Sequence, residues 1–290
     1  MNEVKIGVIG GSGLYKMEGL TEVEEIEIAT PFGAPSDKFI IGTLEGQRVA
    51  FLPRHKRDHS INPTEVNSHA NIWAMKSLGV KYIISANACG SLREDFAPRH
   101  IVIPDQLFDR TRSRDLTYFK GGVVAHLSVA EPFETGLNQL LYEGVKEAGA
   151  TAHLGGTFII IEGPRFSTKG ESRIFRQWGC DIIGMTTIPE AFLAREAEIA
   201  YATMAHVTDY DVWHETAEPV TVDAIIATLN ANVEVAKQAI RNTVAKLANE
   251  PDFPSHHALE TAIISHRKRA AVPPETWREL ELLIGRYYQS

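Results

Sequence analysis

The sequence predicts an α/β fold, a single domain with a central mixed β-sheet flanked by helices. Short, near-continuous apolar runs rich in β-branched residues recur along the chain, as expected of strands buried on both faces. Stretches with apolar residues at three- and four-residue steps fall between them, which is the interleaving of an α/β domain. The chain has 290 residues, 44% hydrophobic and 23% charged, enough for one large domain or a domain with an appendage.

In chain order, Val4-Lys5-Ile6-Gly7-Val8-Ile9 opens the sheet. The next strands are centred on Phe39-Ile40-Ile41, Val49-Ala50-Phe51-Leu52, Tyr82-Ile83-Ile84-Ser85 and Ile101-Val102-Ile103. Phe158-Ile159-Ile160-Ile161, Asp181-Ile182-Ile183 and Ala202-Thr203-Met204-Ala205 complete the set. Helices are expected at about residues 62–78, 134–149, 168–178 and 188–197. The longest, at about 222–248, places Val222, Ile225, Ile226, Leu229, Val233, Ala236 and Ile240 along one face. Beyond Asn249 the texture changes: Glu250-Pro251-Asp252-Phe253-Pro254-Ser255 reads as a linker, and Pro274 opens a last helix. The expected organisation is a domain over 1–249 and a C-terminal extension over 250–290. Within the extension, His266-Arg267-Lys268-Arg269 reads as a solvated basic surface.

The net charge of −8 argues against general nucleic-acid binding, which relies on basic surface. It leaves room for an anionic substrate met by a few positioned arginines. Cys89 and Cys180 are too few for a disulfide framework or a multi-cysteine zinc site. A strand begins almost at the N-terminus and no apolar run could span a bilayer, so a cytoplasmic protein is expected.

The candidate site lies where strands end and loops begin. The first strand runs into Gly10-Gly11-Ser12-Gly13, whose backbone N–H groups and hydroxyl suit an anion. The spacing fits neither a dinucleotide loop nor a P-loop, which points to a small free anion such as inorganic phosphate; the segment reads equally well as a ligand-free turn. Arg54 and His55 follow a strand in Pro53-Arg54-His55-Lys56-Arg57-Asp58-His59, and a guanidinium fork fits phosphate oxygens. His55 and His59 stand four apart but lack the glutamate and the helical context of a zinc site, so no metal is expected. In Ser85-Ala86-Asn87-Ala88-Cys89-Gly90-Ser91-Leu92 small residues let a ligand approach the backbone, and Cys89 reads as a core thiol. In Glu162-Gly163-Pro164-Arg165-Phe166-Ser167, Phe166 is either a core aromatic or a ring set to stack on a flat ligand. Asp209 and Asp211, in His206-Val207-Thr208-Asp209-Tyr210-Asp211, cap or turn the chain, bind a cation or face a nucleobase.

Together these stretches resemble the methylthioadenosine phosphorylase branch of the trimeric purine nucleoside phosphorylase family. Thr30-Pro31-Phe32-Gly33, the run from Val66-Asn67 to Trp73-Ala74, Met185-Thr186-Thr187 and Pro189-Glu190 add to the match. The matched pieces keep the family's order over roughly residues 4–248. The resemblance implies reversible phosphorolysis of 5′-methylthioadenosine to adenine and 5-methylthioribose 1-phosphate, with phosphate as co-substrate and no cofactor or metal. It assigns phosphate to Ser12, Arg54, His55 and Thr186, with Asn87 and Ala88 nearby. Met185 falls along the ribose, Phe166 and Ser167 at the base, and Asp209 and Asp211 opposite N7 and N6 as the catalytic pair. Val222, Ile225 and Ile226 are assigned to the methylthio pocket, and His126 reaches it across a subunit interface. The implied assembly is a homotrimer, with a hexamer open.

Three positions carry substrate choice. Relatives that take 6-oxopurines usually have Asn at position 209 and Glu at 167, and those that bind a 5′-hydroxyl place a His near 222; this chain has Asp209, Ser167 and Val222. Asn87 and Gly184 stand where some members have Thr and Asn, which leaves adenosine as an alternative substrate. A phosphorylase for methylthioinosine and a catalytically silent nucleoside-binding protein are the other readings.

Overall fold

The computed structural model describes residues 3–11, 13–14, 16–214 and 222–289, with the backbone alone for 222–227 and 229–231. Eleven strands form one sheet: β1 (Ile6–Gly10), β2 (Thr21–Ile26), β3 (Phe39–Leu44), β4 (Gln47–Pro53), β5 (Tyr82–Ser91), β6 (Ile101–Ile103), β7 (Gln106–Arg110), β8 (Ala152–Leu154), β9 (Thr157–Ile161), β10 (Ile182–Gly184) and β11 (Ala200–Asp209). The helices are α1 (Ser68–Ser77), α2 (Thr135–Glu147), α3 (Lys169–Gln177), α4 (Thr187–Glu196), α5 (Val222–Lys246) and α6 (Pro274–Ile284).

The sheet is mixed, as the sequence predicts. It runs β2-β3-β4-β1-β5-β10-β9-β7, with β11 beside β5 and β6, and β8 beside β6. β5 is the pivot. Its first residues lie parallel to β1 and β11, while Gly90 and Ser91 pair antiparallel with β10. The ends of β1, β4, β5 and β11 therefore gather on one side, next to the ends of the parallel trio β7, β9 and β10.

Every helix expected from the sequence is present. Asn67 caps α1 by accepting from the Ala70 N–H at 3.1 Å, and Thr168 with Glu171 closes a capping box on α3. Three strands escaped the sequence reading: β2, β7 and β8. β2, Thr-Glu-Val-Glu-Glu-Ile, is exposed along nearly its whole length at the sheet edge, so no burial pattern marks it.

Helices cover both faces. One core lies under α2 and α5, built on Ile6, Val8, Ile84, Met204, Leu141 and Ile240. The other lies under α1 and α4, and residues beyond 250 complete it, with Leu259, Ile263, Leu280, Leu283 and Ile284 in the same cluster as Ile72, Ile83 and Leu193. The extension is tied down by polar contacts too. Trp73 Nε1 donates to the Glu279 carbonyl at 3.1 Å, and buried Glu198 accepts from the Leu259 N–H and from Arg286 and Tyr287. The basic run is solvated at His266 and Lys268, while half-buried Arg267 donates to the Glu260 carbonyl and the Arg269 guanidinium lies 4.6 Å from the Trp277 ring centroid.

Candidate functional site

The site is built where β4, β5, β10 and β11 end. Arg54 follows β4 and is buried, 3% exposed. Its Nε and Nη2 grip the Glu190 carboxylate at 2.9 and 3.0 Å, Nη1 donates to the Ala86 carbonyl, and Nη2 also donates to Ser85 Oγ at 2.6 Å. Tyr201 donates to the same carboxylate at 2.7 Å. The guanidinium is thus held by a buried bidentate pair rather than displayed as an open fork.

The polar chain continues along β5. Asn87 Nδ2 donates to Ser85 Oγ at 3.0 Å and reaches Thr203 Oγ1 at 2.5 Å. Its other face, Oδ1, accepts from the Thr186 hydroxyl at 2.6 Å. Thr186 stands just ahead of α4, with its side chain turned to Asn87 and not to a helix cap. Five residues from four elements therefore form one connected network: Glu190, Arg54, Ser85, Asn87 and Thr186.

His55 sits beside it. Its Nδ1 lies 2.9 Å from the Ile61 carbonyl, which can only accept, so Nδ1 carries the ring proton and Nε2 is an acceptor in the neutral form. Burial and the neighbouring Arg54 charge bring its pKa down to about 4. Ser12, the first residue assigned to phosphate, lies outside the described residues.

Three residues further along β5 than Asn87, Gly90 meets the end of β11. Asp209 terminates β11; its Oδ1 accepts from the Asp211 N–H at 2.7 Å and its Oδ2 is 2.6 Å from Thr208 Oγ1. Gly90 lets the strands approach closely there, since a Cβ would stand 3.0 Å from Asp209 Oδ1 and 3.1 Å from Ile183. Burial raises the pKa of both Asp209 and Asp211 above the ordinary carboxylate value. The Thr208 hydroxyl has one proton and two acceptors in reach, Asp209 Oδ2 and the Cys89 carbonyl at 3.1 Å.

Among the described residues, Ser167 Oγ and Asp211 Oδ2 are buried without a hydrogen-bond partner of ordinary geometry, with the Ser172 hydroxyl the side-chain group beside Asp211. Native structures pair such atoms almost everywhere, so two of them among the residues expected at the base mark a surface shaped for a polar ligand edge. Phe166 is 41% exposed, a rim residue rather than a core aromatic. Met185 is half-buried on the loop leaving β10, and the Phe158 ring lies 2.8 Å from where a Cβ on Gly184 would stand. The glycine at 184 is therefore set by strand packing.

Cys89 and Cys180 are buried free thiols, and burial pushes the Cys89 pKa well up, which fits a core role. His126 stands apart from this cluster. It is exposed, and its N–H donates to the Ala262 carbonyl at 2.9 Å. Val222, Ile225 and Ile226 lie on α5 as expected, with side chains outside the described residues. Sequence reasoning missed the roles of Ser85, Thr203 and Tyr201. Their spacing offers no motif, and only strand pairing brings them to Glu190 and Asn87.

The model of the phosphorylase superfamily matches residues 5–245. The S-methyl-5′-thioadenosine phosphorylase of Geobacter sulfurreducens is 55% identical over 286 residues, covering 98% of this chain and 99% of the relative. That of Chloroflexus aurantiacus is 53% identical over 289 residues, covering 99% and 100%. Among solved structures, a methylthioadenosine phosphorylase from an Antarctic soil metagenomic library superposes with a TM-score of 0.93 at 44% identity, covering 98% and 99% of the two chains. The Schistosoma mansoni methylthioadenosine phosphorylase in complex with adenine gives 0.81 at 36% identity, covering 86% and 93%. Agreement that runs over 98% of the chain, in sequence and in fold, leaves one conclusion: the chain belongs to the S-methyl-5′-thioadenosine phosphorylase family, within the phosphorylase superfamily.

Proposed function

We infer that this chain catalyses the phosphorolysis of 5′-methylthioadenosine to adenine and 5-methylthioribose 1-phosphate, and that the described cluster is its active site. The observation that carries the reading is the placement of Asn87 and Gly90 on one strand, with Thr186 against the first and Asp209 against the second. Three residues of strand span about 10 Å, room for a ribose between an anion and a purine.

In this reading, phosphate lies against Thr186, Asn87, the Ala88 backbone and the Ser12 loop. Arg54, pinned by Glu190, contributes fixed positive charge and an Nη1 donor. His55 offers Nε2 to a protonated phosphate oxygen. The phosphate oxygen forms its bond to C1′ while the bond from C1′ to N9 breaks, and the departing electron pair spreads over the purine toward N7. Asp209, whose pKa burial raises, faces N7; it donates there as the neutral acid, general-acid help worth ~10²–10⁴ in rate, or accepts from an N7 protonated by solvent. Asp211 and Ser167 address the edge carrying the 6-amino group, with Phe166 over the ring and Met185 along the ribose.

Val222, Ile225 and Ile226 are assigned to the methylthio group. His126 is assigned to a neighbouring subunit's pocket in a homotrimer, a reading supported by its exposure and by exposed Val124, Val129 and Ile264 around it. Residues 1–249 form the catalytic domain and 250–290 an extension that completes its core.

The test is adenine release from 5′-methylthioadenosine with and without inorganic phosphate, beside adenosine and methylthioinosine. Strict phosphate dependence with methylthioadenosine preferred is expected. Release without phosphate would make the protein a hydrolase, and a preference for methylthioinosine would overturn the base assignment.

A further inference from the structure

Arg114 belongs to no motif read from the sequence, yet its side chain is 5% exposed and tied to the loops around the site. It lies four residues past the end of β7. Its Nη1 donates to the carbonyls of both Met185 and Ile188, on the loop after β10. Its Nη2 donates to the Glu162 carbonyl at 2.7 Å and Nε reaches Glu162 Oε1 at 3.3 Å, on the loop after β9. Because β7, β9 and β10 are parallel neighbours, one guanidinium straps three adjacent strand ends together.

Glu162 extends the strap in the other direction. Its carboxylate accepts from the backbone N–H groups of Arg112 and Ser113 and from the Thr64 hydroxyl at 3.0 Å. Thr64 stands on the segment that leaves β4 through His55. The two residues therefore join four loops: those carrying His55, Arg114 itself, Phe166, and Met185 with Thr186.

The gripped carbonyls bracket Thr186. Ile188 has non-helical backbone angles (φ −106°, ψ 130°), so its carbonyl stands at an irregular start to α4. Carbonyls at such a break need a donor from elsewhere, and Arg114 supplies it. On the opposite side, the Met185 sulfur packs against Gly163, where a Cβ would come within 2.6 Å; with φ +70°, that position also favours glycine. The loop is thus fixed from both sides, and the Thr186 hydroxyl reaches Asn87 only while it is.

We propose that Arg114, paired with Glu162, is a positioning residue for phosphorolysis, setting the backbone that presents Met185 to the ribose and Thr186 to phosphate. A lysine could not take its full place, since one ammonium cannot span three carbonyls and a carboxylate with the planar geometry of a guanidinium. The assignment rests on the phosphorolysis inferred above.

The experiment compares Arg114→Met, Arg114→Lys and Arg114→Ala with the parent, using 5′-methylthioadenosine and inorganic phosphate, alongside circular dichroism and thermal unfolding. Misplacement of reacting groups by about 1 Å can cost ~10²-fold, and a loss of that size in kcat/KM for phosphate is expected in folded Arg114→Met. Arg114→Lys should fall between it and the parent. Free guanidinium at low, non-denaturing concentration should restore part of the activity of Arg114→Ala, which a side chain serving only as packing would not permit. Parent-like kcat and KM in folded Arg114→Met or Arg114→Lys would overturn the proposal, as would a folded Arg114→Ala that guanidinium leaves inactive. If the parent itself releases no adenine with phosphate, the functional reading fails instead.

Discussion

The Thr186 hydroxyl donates to Oδ1 of Asn87 across 2.6 Å, joining the loop after β10 to the middle of β5. That bond orients both residues, since Asn87 has its amide hydrogens turned to Ser85 and Thr203 and keeps only its carbonyl for Thr186. Thr186→Val preserves the shape and removes the hydroxyl. To serve phosphate the hydroxyl turns its one proton from Asn87 to the anion, so the net gain falls below the ~1.5–3 kcal/mol of a hydrogen bond to a charged group, and KM for phosphate should rise roughly 10-fold. Initial rates over a phosphate series check this, and an unchanged KM would remove Thr186 from the phosphate site.

Asp209 is expected to act on the leaving base alone. Asp209→Ala should depress kcat by ~10²–10⁴ while phosphate affinity stays near that of the parent. Near-normal turnover would take Asp209 out of the mechanism.

Glu190 is 0% exposed and holds Arg54, Ser85 and Tyr201 at once. Glu190→Gln leaves the Arg54 charge buried and unpaired, and breaking such a pair costs about 3–5 kcal/mol. Urea unfolding of the variant should show that loss, with phosphate binding weakened because Arg54 is no longer fixed. A loss below about 1 kcal/mol would mean that water reaches the pair.

His206 lies inside β11, 4% exposed, with Nδ1 unpartnered. Burial lowers its pKa from 6.5 to about 4. The unfolded chain therefore binds a proton below about pH 6.5 that the folded chain refuses until about pH 4, so this group's contribution to stability is held above the window and lost as pH falls through it. In His206→Leu that loss is absent. Between neutral pH and about pH 4.5, the parent should lose ~2–3 kcal/mol more than the variant. Parallel slopes in denaturant titrations at the two pH values would show that His206 charges freely in the fold.

Much of this was legible in the sequence. Strands such as Ile101-Val102-Ile103 and Phe158-Ile159-Ile160-Ile161 announce themselves because they are buried on both faces, and α5 does so through its long apolar face. β7 and β8 are short, partly exposed and set by pairing with β9 and β6, so they leave no pattern of their own. At the site, Asn87 and Asp209 stood out as polar residues following β-branched runs, whereas Met185 and Thr186 entered only through the family resemblance. Arg114 did neither, because what defines it is three carbonyls contributed by distant loops. The solvated look of residues 266–269 holds for His266 and Lys268, but the partners of Arg267 and Arg269, a carbonyl and an indole, were hidden because only folding brings them close.

The core under α1 takes Leu259, Leu280, Leu283 and Ile284 from the far end of the chain. During synthesis the strands, the site loops and α1 all leave the ribosome before those residues exist. The α2–α5 face can close on the growing chain, but the α1–α4 face must wait with apolar surface uncovered, exposed to chaperones and to like chains. Residues beyond 250 are thus the ones that end this domain's period of stickiness.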